Sequence, residues 1–331
     1  MSLDGLPRWL PAWCEDQLGS RPAEVLFGER STSTVFGLRL VDGRDVVVKA
    51  RADDGRAASC VAAQARLVEG GLPCARPLTP VVGVDAGPAV GGSVPGGSVR
   101  GGSRVGSWAG SLAVHAEEFR PGGEVLRGDS PEVAVRYAGV FARLMVGLAD
   151  VAVAPPLPNP RWVRWDHGDA GPWPAIESLD EQDQSLVPRH VVEVAGRVRR
   201  RLLAAGLPCV LGHADFEAHN LRWCGDQVVT VHDWDSLAWQ PEAALVGAAS
   251  AVFPKMGPAL LPPVGSTEAF LAAYQDVRGR SFTADEEQVA WAASLWPVAH
   301  DVRWESLHGY TAVSGRALWV QAAERLRRAG A

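Results

Sequence analysis

Lysine is nearly absent from this chain: among its 331 residues only Lys49 and Lys255 carry it, and arginine supplies the remaining positive side chains. Cysteine is sparse and odd in number. Cys14, Cys60, Cys74, Cys209 and Cys224 are scattered and form no CxxC pair, a pattern that predicts reduced thiols in a cytoplasmic protein without structural disulfides. Positive charge is in deficit, with a formal net charge of −6, which argues against a general nucleic-acid binder. Long apolar runs are also missing. The longest weakly polar stretch, Ala243 to Pro254, is too short to cross a bilayer. The N-terminal segment interrupts its apolar residues with Asp4, Arg8, Glu15 and Asp16, so neither a signal peptide nor a membrane partner is predicted. No HExxH or HxxxH pattern supports a helical zinc site.

What remains is a globular composition, 47% apolar and 21% charged, in a chain long enough for one large or two ordinary domains. A helix is predicted over residues 7 to 18. Strands follow at Glu24 to Phe27, Val35 to Leu40 and Asp45 to Lys49, the last two joined by the hairpin dipeptide Asp42-Gly43. An alanine-rich helix from Arg56 to Glu69 ends at Gly70-Gly71. Two further apolar runs, Leu78 to Val84 and Ser111 to Phe119, flank a Gly/Ser-rich segment at 91–107 that reads as a flexible loop. Phe119-Arg120-Pro121-Gly122-Gly123 breaks the pattern. A domain boundary there gives a lobe over 1–118 and a helical lobe over 119–331.

Helical spacing recurs at 131–150, 185–205, 241–253, 266–277, 284–306 and 315–328. The excursion at 155–185 is rich in proline, tryptophan and acid. Asp166, Asp169, Glu177, Asp180, Glu181 and Asp183 read as a solvated loop, with attraction of a cationic acceptor as the alternative. Arg197, Arg199, Arg200 and Arg201 read as a solvated helix face. Most of the thirteen tryptophans are core anchors; Trp165, Trp173 and Trp239 are candidates for an acceptor pocket. His300 and Asp301, with Glu305 one turn on, are further candidates for that cleft.

The chemistry concentrates between Leu211 and Asp235. Asp215 follows His213 by two residues, Asn220 follows Asp215 by five, and Asp233 ends the apolar run Val228 to Val231. This is a phosphotransfer arrangement. An aspartate base accepts a hydroxyl proton, while asparagine and a second aspartate offer hard oxygen ligands to Mg²⁺ on a nucleotide's phosphates. Two more parts of such a site appear upstream in the right order: the small polar loop Gly28 to Thr34, with Ser31, Thr32 and Ser33 able to bond phosphate oxygens, and Lys49 on the third strand. The loop has no GxGxxG pattern.

With these motifs, HADFEAHN at 213–220 and HDWD at 232–235, the chain resembles the aminoglycoside phosphotransferase family over nearly its whole length. The resemblance implies an α+β, two-lobed protein-kinase-like fold, with a small antiparallel sheet beside a larger, mainly helical lobe and the nucleotide between them. It implies an ATP-dependent small-molecule kinase acting on an acceptor hydroxyl, with Mg²⁺ as cofactor and GTP an open alternative to ATP. It implies Asp215 as base, Asn220 and Asp233 as metal ligands, Lys49 on the α- and β-phosphates, and a hinge at Ala116, Glu117, Glu118 and Phe119 that pairs with the adenine edge. The implied partners are the nucleotide and a small acceptor, with no nucleic acid and no membrane.

Three departures stand out. Ala214 replaces the family's glycine, and Glu217 stands where histidine is common. The helix after the third strand also lacks the glutamate that pairs with the lysine. Gln64 is its only mid-helix polar group of suitable reach, and Glu69 lies near its end. The sequence therefore predicts a weakly held Lys49 and keeps a non-catalytic nucleotide-binding module as the rival class. A metallohydrolase built on His213, His219, Asp233 and Asp235 is a third, weaker reading.

Overall fold

The structure is a computed structural model that describes residues 3–30, 33–85, 111–153, 157, 159–256, 261–310 and 313–331. Two compact units divide the chain, Met1–Gly122 and Gly123–Ala331. The Gly/Ser-rich loop at 91–107 lies outside the described residues, as do Ser31 and Thr32.

The first unit is a five-stranded antiparallel sheet with two helices. Helix α1 (Leu10–Leu18) precedes strands β1 (Pro22–Arg30), β2 (Thr34–Leu40) and β3 (Asp45–Ala52). Helix α2 (Ala57–Glu69) and strands β4 (Val82–Asp85) and β5 (Ser111–Glu118) follow, in the spatial order β1-β2-β3-β5-β4. The period-2 alternation of strands sorts the side chains between faces. Val46, Val48 and Ala50 of β3 join Leu112, Val114 and Ala116 of β5 and Leu10, Trp13 and Cys14 of α1 in one core. The alternate residues, Lys49 on β3 and His115 and Glu117 on β5, fall on the opposite face. α2 lies on that face, and its buried Gln64 reaches Glu117.

The second unit is mainly helical: α3 (Pro131–Ala149), the short α4 (Glu177–Asp180), α5 (Arg189–Ala204), α6 (Glu242–Val252), α7 (Val264–Arg278), α8 (Ala284–Ala293), α9 (Trp296–His308) and α10 (Val313–Ala329). The single helix expected over 284–306 is two, α8 and α9. The backbone turns at Ser294 and Leu295, and Pro297 in the first turn of α9 has no N–H to continue α8. Two small antiparallel ribbons carry the motif region. β6 (Cys209–His213) pairs with β9 (Leu237–Pro241), and β7 (Leu221–Cys224) pairs with β8 (Gln227–Val231).

The arginine cluster on α5 is not merely solvated. Arg199 donates to the carbonyls of Trp165 and His167, and Arg201 to that of Ala329 and to Asp285, so it ties the excursion and the chain end to the helix. Among the described residues no helix is long and apolar enough to cross a membrane.

Candidate active site

β6 leads into the motif loop at 213–220. Gly212 is required near its end because a Cβ there would meet Leu245 Cδ1 at 2.5 Å and Met145 Sδ at 3.0 Å. The strand thus runs against α3 and α6 at backbone distance. The loop is then fixed at both ends. His213 is buried, and its Nε2 lies 3.0 Å from the His232 carbonyl while Nδ1 accepts the Asp215 N–H at 3.2 Å. That pair of partners selects the neutral tautomer protonated on Nε2. Phe216 turns inward, 4.8 Å from Phe141 and 6.1 Å from Tyr137 of α3, in edge contacts worth about 1 kcal/mol each beyond area burial. With Phe216 pinned inward, Asp215 is left beside the cavity described below.

Asn220 closes the loop. Its Nδ2 donates to the Asp215 carbonyl at 2.9 Å and to Asp215 Oδ2 at 3.2 Å. The donor half of the amide is thereby engaged, and Oδ1 is the atom suited to a cation. Asp233 is the only non-glycine with positive φ among the described residues (φ 62°). A left-handed aspartate costs backbone energy, so its position is enforced: Oδ2 accepts the Ser236 hydroxyl at 2.9 Å, and the Ser236 N–H returns to the Asp233 carbonyl. Asn220 and Asp233 present amide and carboxylate oxygen, the donor set that Mg²⁺ prefers.

The electrostatics around Asp215 are crowded. Desolvation, and then the like charge of Glu217, push its carboxyl above the usual range, against Lys255, His219 and a hydrogen bond with Asp233. Desolvation also raises Glu217. Lys255 Nζ sits 2.7 Å from Glu217 Oε1 and 3.2 Å from Asp301 Oδ1. Burial alone would lower the lysine, but Asp301, Glu217 and Asp215 together hold it charged.

Asp215, Glu217, Lys255 and Asp301 line a cavity of about 90 Å³ with Trp162, Trp165, Trp296 and His300. Of the tryptophans singled out from sequence, Trp165 lines it. Trp173 stands behind it, 6.0 Å from Trp296, and Trp239 is exposed elsewhere. His300 and Asp301 line the cavity, whereas Glu305 turns to the Ser314 hydroxyl at 2.7 Å. None of the excursion's acids lines it. Asp169, Asp180 and Asp183 accept the backbone N–H groups of Ala175, Ile176 and Ser185, holding local turns.

Asp215, Glu217 and His219 have potential ligand atoms within 4.8 Å of one another, close enough to share a cation. His213 is not part of this group, being engaged by the loop backbone.

In the first unit the missing acid is found. Lys49 Nζ pairs with Glu117 Oε1 at 3.0 Å, both side chains buried. The expectation that Lys49 lacks an ionic partner is therefore corrected: the carboxylate comes from β5 rather than from α2. Gln64 is inward-facing and 1% exposed. It donates from Nε2 to Glu117 Oε2 at 2.9 Å and to the Ala75 carbonyl at 2.7 Å. Further along the expected hinge, the Glu118 N–H is donated to the Arg76 carbonyl at 2.9 Å, and the Phe119 ring lies 5.8 Å from Phe27. Ser33 is half-buried at the mouth of β2.

A model of the phosphotransferase enzyme family matches residues 38–255. No curated protein matches the chain. Among solved structures, an amicoumacin kinase, hAmiN, in complex with AMP-PNP and Ca²⁺, is similar at 12% identity. It covers 93% of this chain and 90% of its own, with a TM-score of 0.62. A microcompartment-associated aminopropanol kinase is 17% identical, with 93% and 89% covered and a TM-score of 0.54. A thermostable mutant of an aminoglycoside phosphotransferase, solved with ADP and hygromycin B, is 14% identical, with 98% and 99% covered and a TM-score of 0.51. At these identities the likeness concerns the fold, which this chain shares with those kinases.

Proposed function

We propose, from the premise that the chain belongs to the phosphotransferase enzyme family, that it transfers the γ-phosphoryl group of ATP to a hydroxyl of a small molecule. The observation that carries this is the locked loop at 213–220. In it Asn220 Nδ2 bonds both the carbonyl and the carboxylate of Asp215, and His213 fixes the Asp215 backbone from the other side.

In this reading Asp215 orients the acceptor hydroxyl and takes its proton, a task suited to a carboxylate whose basicity is raised by burial. Asn220 and Asp233 would hold Mg²⁺, which when bound gathers phosphate oxygens and offsets their charge. Lys49, kept in place by Glu117, meets the α- and β-phosphates. Ser33, with Ser31 and Thr32, supplies hydroxyls to phosphate, and the chain from Glu117 to Phe119 borders the base. ATP is the proposed donor, supported by the AMP-PNP and ADP in the similar structures; GTP is the alternative for the same groups. The non-catalytic reading drew its support from a missing lysine partner, and Glu117 removes that support.

The test is label transfer. With γ-labelled ATP, Mg²⁺ and a set of hydroxylated small molecules, label is expected in an acceptor product. Tight nucleotide binding with no label leaving ATP, alone or with any acceptor, would instead favour a binding module.

A further inference from the structure

Lys255 is one of two lysines in the chain, and it is placed inside the cavity beside Asp215 rather than on the surface. Two acids converge on its ammonium group, Glu217 at 2.7 Å and Asp301 at 3.2 Å. Glu217 has a second neighbour in His219, whose Nδ1 is 3.3 Å from Oε2. Of the three carboxylates lining the cavity, two are thus paired internally, and the third is the proposed base.

The rest of the described lining is apolar or neutral. Trp162, Trp165 and Trp296 give flat walls, and Ala244, Ala248, Val252 and Ala293 are small or apolar. His300 also lines the space. Burial pushes its imidazole down to about 4, so it is uncharged at neutral pH. Its Nε2 is buried with no hydrogen-bond partner among the described residues. A buried, unpartnered ring nitrogen is costly unless a ligand satisfies it, and a hydroxyl can donate to it or accept from it.

We infer that this cavity receives a compact acceptor bearing hydroxyls and no ammonium group, because Lys255 already holds the acids Glu217 and Asp301 that such a group would need. This identifies the substrate class of the site proposed above and holds only if Asp215 is the base there. The volume of about 90 Å³, against roughly 300–1,000 Å³ for drug-sized sites, limits the enclosed part to a small polyol or the hydroxylated end of a larger molecule. In this picture one hydroxyl faces Asp215, a second reaches His300 Nε2, and the carbon frame lies on the tryptophans. An ammonium group would meet the like charge of Lys255 in a low-dielectric space, where repulsion is strong. Lys255 is therefore a specificity-determining residue: it provides from within the positive charge that a cationic acceptor would bring from outside.

The experiment is a calorimetric titration of ethanolamine and of choline into the wild-type protein and into Lys255→Met. Wild type is expected to show no saturable binding up to about 10 mM, and removal of the lysine charge should raise amine affinity by at least about tenfold. Saturable binding of either amine to wild type overturns the inference, as does a folded Lys255→Met protein with no gain. If Lys255→Met does not fold, the wild-type titration decides alone: no binding upholds the inference and binding overturns it. Failure of the phosphotransfer reading would appear separately, as wild-type ATP consumption that Asp215→Asn leaves unchanged.

Discussion

At the scale of single residues, the relocation of one carboxylate has the widest consequence. Lys49 stands opposite His115, and Glu117 stands opposite Val47, so lysine and glutamate are diagonal neighbours on one face of adjacent strands. Diagonal neighbours are about 7–8 Å apart at the backbone, within reach of long side chains. A strand can therefore do what a helix glutamate does, provided the helix offers a neutral hydrogen-bond donor to steady the acid. Gln64 does so, and its amide also bonds the Ala75 carbonyl, so Glu117 is held from two sides.

Charge relocation tests this arrangement. Glu117→Gln removes the buried carboxylate that pairs with Lys49 and is expected to lower stability by about 3 kcal/mol and to depress magnesium-dependent ATP turnover. Adding Gln64→Glu to that variant returns a carboxylate to the same locus from the helix, and most of both losses should be recovered. Thermal melts and steady-state kinetics read the two effects. A double variant no better than Glu117→Gln would show that the strand position itself matters.

At the scale of elements, α6, α7 and α8 meet at a polar knot. Glu242 in the first turn of α6 accepts from Tyr274 and Arg278 of α7, with Arg278 Nε at 3.1 Å. It also accepts from Arg280, at 2.9 Å, which in turn reaches Glu286 in the first turn of α8. Desolvation works to raise Glu242, but the Tyr274 and Arg280 hydrogen bonds and the arginine charges outweigh it, and the net shift is downward. Glu286 is lowered first by its bond from Arg280.

The sign follows from linkage. A carboxylate with a depressed folded-state pKa stabilises the fold above its unfolded value of about 4.3, and that contribution is lost as pH falls through the folded value. Glu242→Gln is therefore expected to be less stable than wild type at pH 7 by about 1.5–3 kcal/mol. Its melting temperature should depend less on pH below about 4.5, so that the two curves converge in acid. Parallel curves down to the lowest pH measured would exclude Glu242 as a contributor to acid unfolding.

At the scale of the whole molecule, the features readable from sequence were those encoded locally. Asp42-Gly43 announced the β2–β3 hairpin, Gly70-Gly71 the end of α2, and the helical spacing at 131–150 the span of α3. The motif loop was legible because its groups are close in sequence and close in space. What was not legible depends on pairings distant along the chain. β9 is five residues ending in Pro241, too short to show a period, and exists as a strand through its ladder to β6. The break between α8 and α9 hid inside a continuous helical pattern. The acid partner of Lys49 sat in a stretch read as hinge, and Lys255 carried no motif at all. Its rarity was the one available signal, shared with Lys49, but only the fold brings it to Glu217 and Asp301.

The two compact units carry separate shares of the proposed chemistry: the first supplies Lys49 and its acid, the second supplies base, metal ligands and acceptor cavity. The second share is central, and one substitution addresses it most directly. Asp215→Asn keeps the size of the side chain and removes the proton acceptor. Magnesium-dependent transfer of the ATP γ-phosphoryl group, followed by ³¹P NMR with wild type and variant side by side, is expected to fall at least about 100-fold in the variant while nucleotide affinity is retained. Equal rates in the two proteins would contradict Asp215 as the base and, with it, the phosphotransfer site.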